Sequence, residues 1–403
     1  MYVRSGPLNT MGETRATSDH TRSMSGGSEP DPRLIAAVLA GSPPGTGSVS
    51  VIATSAAWVV LHGGTAWKCR RHRADGERDL ASLAACRAAC AAELSLNQRF
   101  APEIYQGLWA LRTDGGREPR LVPAEHRAEG QAAPVVGGMA HDTAAGAVEG
   151  IAEHAAEGTA PIDWAIRMRR LPSAGFLDAR LIAGRAGPAD AARVAQALAA
   201  LHAGLPRSGI DGRSFVQRFI DEIQACAPVL DDAPLLEALR ARTFVVAALL
   251  EERVGLGQIV DGHGDLRPAH LHLSGLARPG ATPRVQLIDA LDCAWLLRQV
   301  DPWEELSLLA LLAGELGAAW FGPRLLAAYI DRSEREPRTG APHRLPSPSL
   351  LSFYTAYHAI VRARLAAAHL RRSPVRRAAH WRALARRLCA AARAALDGWC
   401  ATG

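Results

Sequence analysis

The sequence predicts an α+β chain of two lobes: a small antiparallel β-sheet lobe carrying one helix, then a larger, mainly α-helical lobe. Three observations lead there. Short runs rich in β-branched and aromatic residues cluster between residues 48 and 112 and again over 162–171. Beyond residue 188, apolar residues recur mostly at helical spacing. One polar stretch, Asp261 to Leu273, interrupts those helices with Asp265, His263, His270 and His272 among Gly262, Gly264 and Pro268. The glycines and proline oppose a regular helix, and a loop there can present side chains to a ligand.

Taken in order, residues 1–32 are polar and rich in Gly, Ser and Thr, and are expected to form a disordered tail. The first lobe is expected over 33–171. Its strands are Ser48–Ala53, Ala56–Leu61 and Thr65–Arg71, with His62-Gly63-Gly64 as the turn between the last two. A helix follows over Asp79–Arg99, then strands at Glu103–Arg112 and Ile162–Leu171. Residues from about 114 to 161 lack periodicity and far exceed a hairpin loop, so they read as a partly disordered insertion. The second lobe, 172–403, is expected to hold helices at Ala189–Ala203, Arg213–Ala225, Pro234–Val254, Pro302–Gly314, Pro323–Arg332, Ser347–Leu370 and Val375–Trp399. A strand, Arg284–Asp289, follows the polar stretch.

Composition bounds the function. With 403 residues and 48% apolar content the chain supports a large bilobal core and is not disordered as a whole. No run reaches the ~18 apolar residues of a membrane span, and no basic-then-apolar leader opens the sequence. A cytoplasmic protein with no membrane partner is therefore expected. The seven cysteines are odd in number and scattered, which fits buried thiols; Cys86 and Cys90 share a helix face without a second pair at zinc-site spacing. Of 46 basic residues only Lys68 is a lysine, leaving 45 arginines. A lysine kept in so arginine-biased a chain marks a site that needs a compact ammonium charge. The arginines near the C-terminus read as a solvated helix face, since only Trp381 interleaves, and no nucleic-acid partner is expected.

Phosphoryl transfer needs positioned charges: a lysine for the phosphates, an acid to hold it, a carboxylate to take the acceptor proton and ligands for a divalent cation. The chain offers Lys68, Glu93, Asp265 and Asp289 in that order. The residues that carry a resemblance are His263-Gly264-Asp265-Leu266-Arg267-Pro268-Ala269-His270 and Leu287-Ile288-Asp289-Ala290-Leu291-Asp292. Supporting stretches run from Trp58 to Lys68, from Glu93 to Pro102, and through Phe353–His358 and Arg362–Leu365. On these the chain resembles the aminoglycoside phosphotransferase and choline kinase-like group, from about Val49 to Trp399. The resemblance implies a protein-kinase-like fold and an ATP- or GTP-dependent phosphotransferase with Mg²⁺, acting on a hydroxyl of a small molecule in a cleft between the lobes.

Carried over by position, Asp265 is the base, with His263 and Arg267 in the catalytic loop. Asp289 is the principal metal ligand, with Asp292 and His270 beside it. Lys68, Glu93, Met168 and Arg169 belong to the nucleotide site. His270 departs from the group's pattern, in which an asparagine stands there, and imidazole suits Mg²⁺ less well than an amide oxygen. A nucleotide-binding module of the same fold that transfers weakly or not at all, and a zinc-dependent hydrolase built on the histidines, are the alternatives.

Overall fold

The computed structural model describes residues 30–43, 46–54, 56–71, 82–113, 118–124, 160–275, 283–335, 345–371 and 377–398. They divide into two units, one ending at Arg170 and the other beginning at Leu171.

The N-terminal unit begins with a helix absent from the sequence reading, α1 (Pro32–Ala40), capped by the Asp31 carboxylate on the Arg33 N–H at 2.8 Å. Strands β1 (Ser50–Ala53), β2 (Ala57–His62) and β3 (Thr65–Arg70), helix α2 (Leu83–Gln98), and strands β4 (Tyr105–Arg112), β5 (Arg120–Pro123) and β6 (Pro161–Arg169) follow. The strands form one sheet in the order β1-β2-β3-β6-β4-β5, antiparallel at every pairing. His62 belongs to β2 and pairs with Thr65, so the turn is two residues, Gly63-Gly64, rather than the three expected. Alternation along β3 sends Trp67 and Cys69 to one face, where they pack with Leu34, Ala37 and Val38 of α1, and Lys68 and Arg70 to the other, where they meet α2. The expected insertion is partly a strand: β5 pairs Leu121 with Leu111 of β4. The rest of that insertion, the tail up to residue 29 and the start of the expected helix at Asp79 lie outside the described residues.

The C-terminal unit is mainly helical: α3 (Leu177–Ile182), α4 (Pro188–Gly204), α5 (Gly212–Gln224), α6 (Ala233–Gly255), the strands β7 (Val260–Asp261), β8 (Leu271–Ser274) and β9 (Arg284–Leu287), α7 (Trp295–Arg298), β10 (Gln299–Val300), α8 (Pro302–Glu315), α9 (Phe321–Arg335), α10 (Pro348–Ala368) and α11 (Ala378–Asp397). Prolines in the first turns of α4, α6, α8 and α10 sit where a missing N–H costs nothing. Asp211, Asp301 and Ser347 cap α5, α8 and α10 with side-chain oxygens. Its core joins Phe215 and Phe219 of α5 to Phe353, Tyr354 and Tyr357 of α10. Arg218 is buried among these rings, 4.1 Å from the Phe219 centroid, and its charge is matched by Glu304. No helix among the described residues is long and apolar enough to cross a membrane.

Candidate active site

The polar stretch is a stitched loop. β7 pairs with β10, and β8 pairs with β9 in the register Leu271 to Leu287, which brings the residues after β9 alongside the loop before β8. Three hydrogen bonds close the seam: Ile288 N–H to His270 O at 3.0 Å, Leu291 N–H to His263 O at 2.9 Å, and His263 Nε2–H to Ile288 O at 3.0 Å. Burial pushes the His263 pKa down, so this imidazole is a neutral strut. From below, Glu305 accepts the Gly264 N–H at 2.7 Å and His202 at 3.0 Å. Burial alone would raise the Glu305 pKa, but His202, His263 and the Gly264 N–H outweigh it and hold the carboxyl below its usual range. Gly264 has φ +77°, and a Cβ on Gly262 would lie 2.4 Å from Val300 Cγ2, so both positions need glycine.

This seam brings Asp265 and Asp289 together around His270. The Asp265 carboxylate is 13% exposed; Arg267 Nε lies 3.0 Å from its Oδ2, and Arg362 Nη1, on α10, lies 3.6 Å from its Oδ1. His270 Nδ1–H donates to the Asp265 backbone O at 2.8 Å, and His270 Nε2 accepts from Arg267 Nη2 at 2.6 Å. The same Nε2 is 3.4 Å from Asp289 Oδ2. Both ring nitrogens therefore brace the loop, and His270 offers a metal a lone pair only if Arg267 withdraws. Asp289 has φ +64°, a left-handed conformation uncommon outside glycine and retained where surroundings over-determine it. Asp292, partly exposed, follows three residues later.

In the N-terminal unit, Lys68 and Glu93 form a buried ion pair, and Arg70 Nη2 meets the second Glu93 oxygen at 2.6 Å. One carboxylate thus holds two cations, each oxygen with its own partner. Met168 lies two residues beyond Ile166, the cross-strand partner of Lys68, and shares that face of the sheet. Arg169 points to the opposite face, so it serves the lysine side only through its backbone, whose N–H is taken by Ile104 O at 2.9 Å.

Among the described residues no group of three or more His, Cys, Asp or Glu is placed to hold a metal by itself. Mg²⁺ does not require one, since it takes one or two carboxylates and completes its shell with substrate phosphates and water; Asp289 and Asp292 fit that donor set. A catalytic zinc needs three protein ligands, and the histidines do not supply them. His272 does not share a side with His270 as residues two apart in an extended chain would, because Pro268–His270 forms a 3₁₀ turn; its Nε2–H donates to Pro172 O at 3.1 Å and its Nδ1 faces Gln286 at 3.2 Å. Cys86 and Cys90 are buried on α2, and Cys86 together with burial holds the Cys90 thiol pKa well above its ordinary value, so they pack.

Arg70, Arg362, Glu305 and His202 carried no role in the sequence reading. Arg70 had a local signal, two residues from Lys68 on the same strand face. Arg362 was marked only as part of the stretch Arg362–Leu365 and His202 not at all, because only helix packing brings them to the loop.

No family model matches the chain. It is 29% identical over 321 residues to uncharacterised proteins of Mycobacterium tuberculosis and Mycobacterium bovis, a match over 79% of this chain, and it spans about half (54%) of the length of these curated relatives. Similar solved structures are a choline kinase from Cryptosporidium parvum (TM-score 0.48, 10% identity, 91% of this chain and 96% of that one) and a choline/ethanolamine kinase family protein from Mesorhizobium loti (0.46, 15%, 90% and 94%). An aminoglycoside-3'-phosphotransferase of type VIII is also similar (0.39, 17%, 82% and 100%).

Proposed function

We propose that the protein is a phosphotransferase that moves the γ-phosphoryl group of ATP or GTP to a hydroxyl of a small molecule. The observation that carries this reading is the placing of two partly exposed carboxylates, Asp265 and Asp289, on either side of His270 in a loop pinned by buried hydrogen bonds. Asp265 takes the acceptor proton as the acceptor oxygen forms its bond to phosphorus and the bond from phosphorus to the nucleoside diphosphate oxygen breaks. Lys68, held by Glu93, meets the nucleotide phosphates. Asp289, with Asp292, holds the Mg²⁺ that accompanies them, and this ion supplies charge neutralisation on the phosphate oxygens. Arg267 orients Asp265 and, through Nη2, keeps His270 in its bracing tautomer.

Calorimetry with ATP or GTP and Mg²⁺ tests the reading, and absence of nucleotide binding with either Mg²⁺ or Mn²⁺ sinks it. Given binding, Asp265→Asn is expected to lower transfer by at least 10²-fold with nucleotide affinity retained. An unchanged rate would favour the nucleotide-binding module, the reading kept alive by the engagement of both His270 nitrogens.

A further inference from the structure

Arg362 stands out in the C-terminal unit. It lies on α10 with its side chain 17% exposed, and among the described residues it makes no hydrogen bond; its one ion pair is the long contact of 3.6 Å to Asp265 Oδ1. A guanidinium carries five N–H donors in a rigid fork, and leaving them unmet inside a fold is costly. The acids around it are committed elsewhere. Asp265 is shared with Arg267 at 3.0 Å, Glu304 is bound by Arg218, and Glu305 is bound by His202 and the Gly264 N–H. His358, one turn earlier on α10, brings no negative charge: burial and Arg218 push its pKa down to about 3. The same surplus of cation appears on Arg362, whose pKa is lowered to about 10 by burial and by Arg267, against the attraction of Asp265. Two guanidiniums thus converge on the one carboxylate that faces the reaction.

We propose that the acceptor is an anion, a small hydroxyl-bearing carboxylate or phosphate monoester, and that Arg362 binds its oxyanion beside Asp265. This rests on the phosphotransferase reading. A cationic amino alcohol would meet Arg362 and Arg267 head-on, whereas an oxyanion supplies the acceptors that the Arg362 fork lacks and places a neighbouring hydroxyl within reach of the Asp265 carboxylate. The part assigned to Arg362 is binding and orientation.

The test uses four probes on one three-carbon frame: glycerol, 2-amino-1,3-propanediol, glycerate and glycerol 3-phosphate. Binding of each is measured by calorimetry on the full chain in the presence of Mg²⁺ and the nucleoside diphosphate. The two anions are expected to bind, and comparison of glycerate with glycerol 3-phosphate says which oxyanion the site prefers. Arg362→Gln is expected to weaken anion binding on the order of 10–100-fold while leaving nucleotide affinity unchanged, and Arg362→Lys, which keeps the charge and loses the fork, is expected to fall between. Equal or tighter binding of the neutral or cationic probe, no saturable binding of either anion, or anion affinity indifferent to Arg362→Gln overturns the proposal. So does a loss of nucleotide affinity in the Gln variant, which would assign Arg362 to the nucleotide. Failure of nucleotide binding in the unaltered protein strikes the phosphotransferase reading itself, while a failed anion assignment with nucleotide binding intact leaves that reading standing.

Discussion

Glu93 shows how one residue carries two obligations. It neutralises Lys68 and Arg70 inside the N-terminal unit, so its removal takes a carboxylate from two buried cations rather than one. Glu93→Ala is expected to destabilise that unit by about 3–5 kcal/mol, read as a lowered urea midpoint. Lys68→Met leaves the Arg70 pair in place, and is expected to cost less stability while abolishing nucleotide binding. A Lys68→Met protein less stable than Glu93→Ala would contradict that division. The Lys68 reading rested on its being the chain's one lysine, and the partner was legible from spacing; the competing cation on the same carboxylate became visible only when strand and helix were packed. His270 is the converse case. Its position after Asp265 marked it as unusual, but whether its nitrogens faced a metal or the loop depended on hydrogen bonds with residues three and five positions earlier.

The β8–β9 hairpin and the loop before it act as one element, because backbone hydrogen bonds tie Ile288 and Leu291 to His270 and His263. Gly262 sits where the loop passes β10, so Gly262→Ala forces a shift against Val300 and Glu305. That substitution is expected to cost about 1–3 kcal/mol and to lower turnover more than nucleotide affinity, measured by unfolding and by calorimetry side by side; a silent variant would mean the loop is not held as described. The loop's existence was legible because glycine and proline act locally. The short strands β7 and β10, of two residues each, fall below any periodicity signal. Helix α1 escaped notice because only Leu34, Ala37 and Val38 of its nine residues are buried, and those acquire meaning from Trp67, Cys69 and Leu111 on the sheet. Strand β5 escaped because its pairing with β4 is what defines it.

Across the C-terminal unit the interior is unusually ionic: Arg218, Glu304, Arg253, Asp301, His202 and Glu305 are all buried and paired. Acid stability should report this interior. His358 has a folded pKa of about 3 against 6.5 when free, so the unfolded chain binds the extra proton between those values. Stability therefore falls as pH drops from 6.5 toward 3, and His358→Gln is expected to flatten that limb in urea unfolding followed against pH. Glu304 runs the other way: burial raises its pKa to about 7 despite Arg218, so its favourable contribution is full below about 4.5 and is lost as pH rises through 7. An acid limb that Gln at 358 leaves untouched would place the loss elsewhere. Strand and helix periods, the Gly-Gly turn, the lone lysine and the His-Gly-Asp loop with its following Ile-Asp were all decided by local chemistry, because propensity, turn geometry and residue type act over a few positions. The tertiary structure alone decided that Arg362, 97 positions beyond Asp265, shares its carboxylate, and that Glu305 and His202 hold up its loop. Such contacts arise when helices pack, and packing depends on the shapes of whole faces that no short stretch of sequence displays.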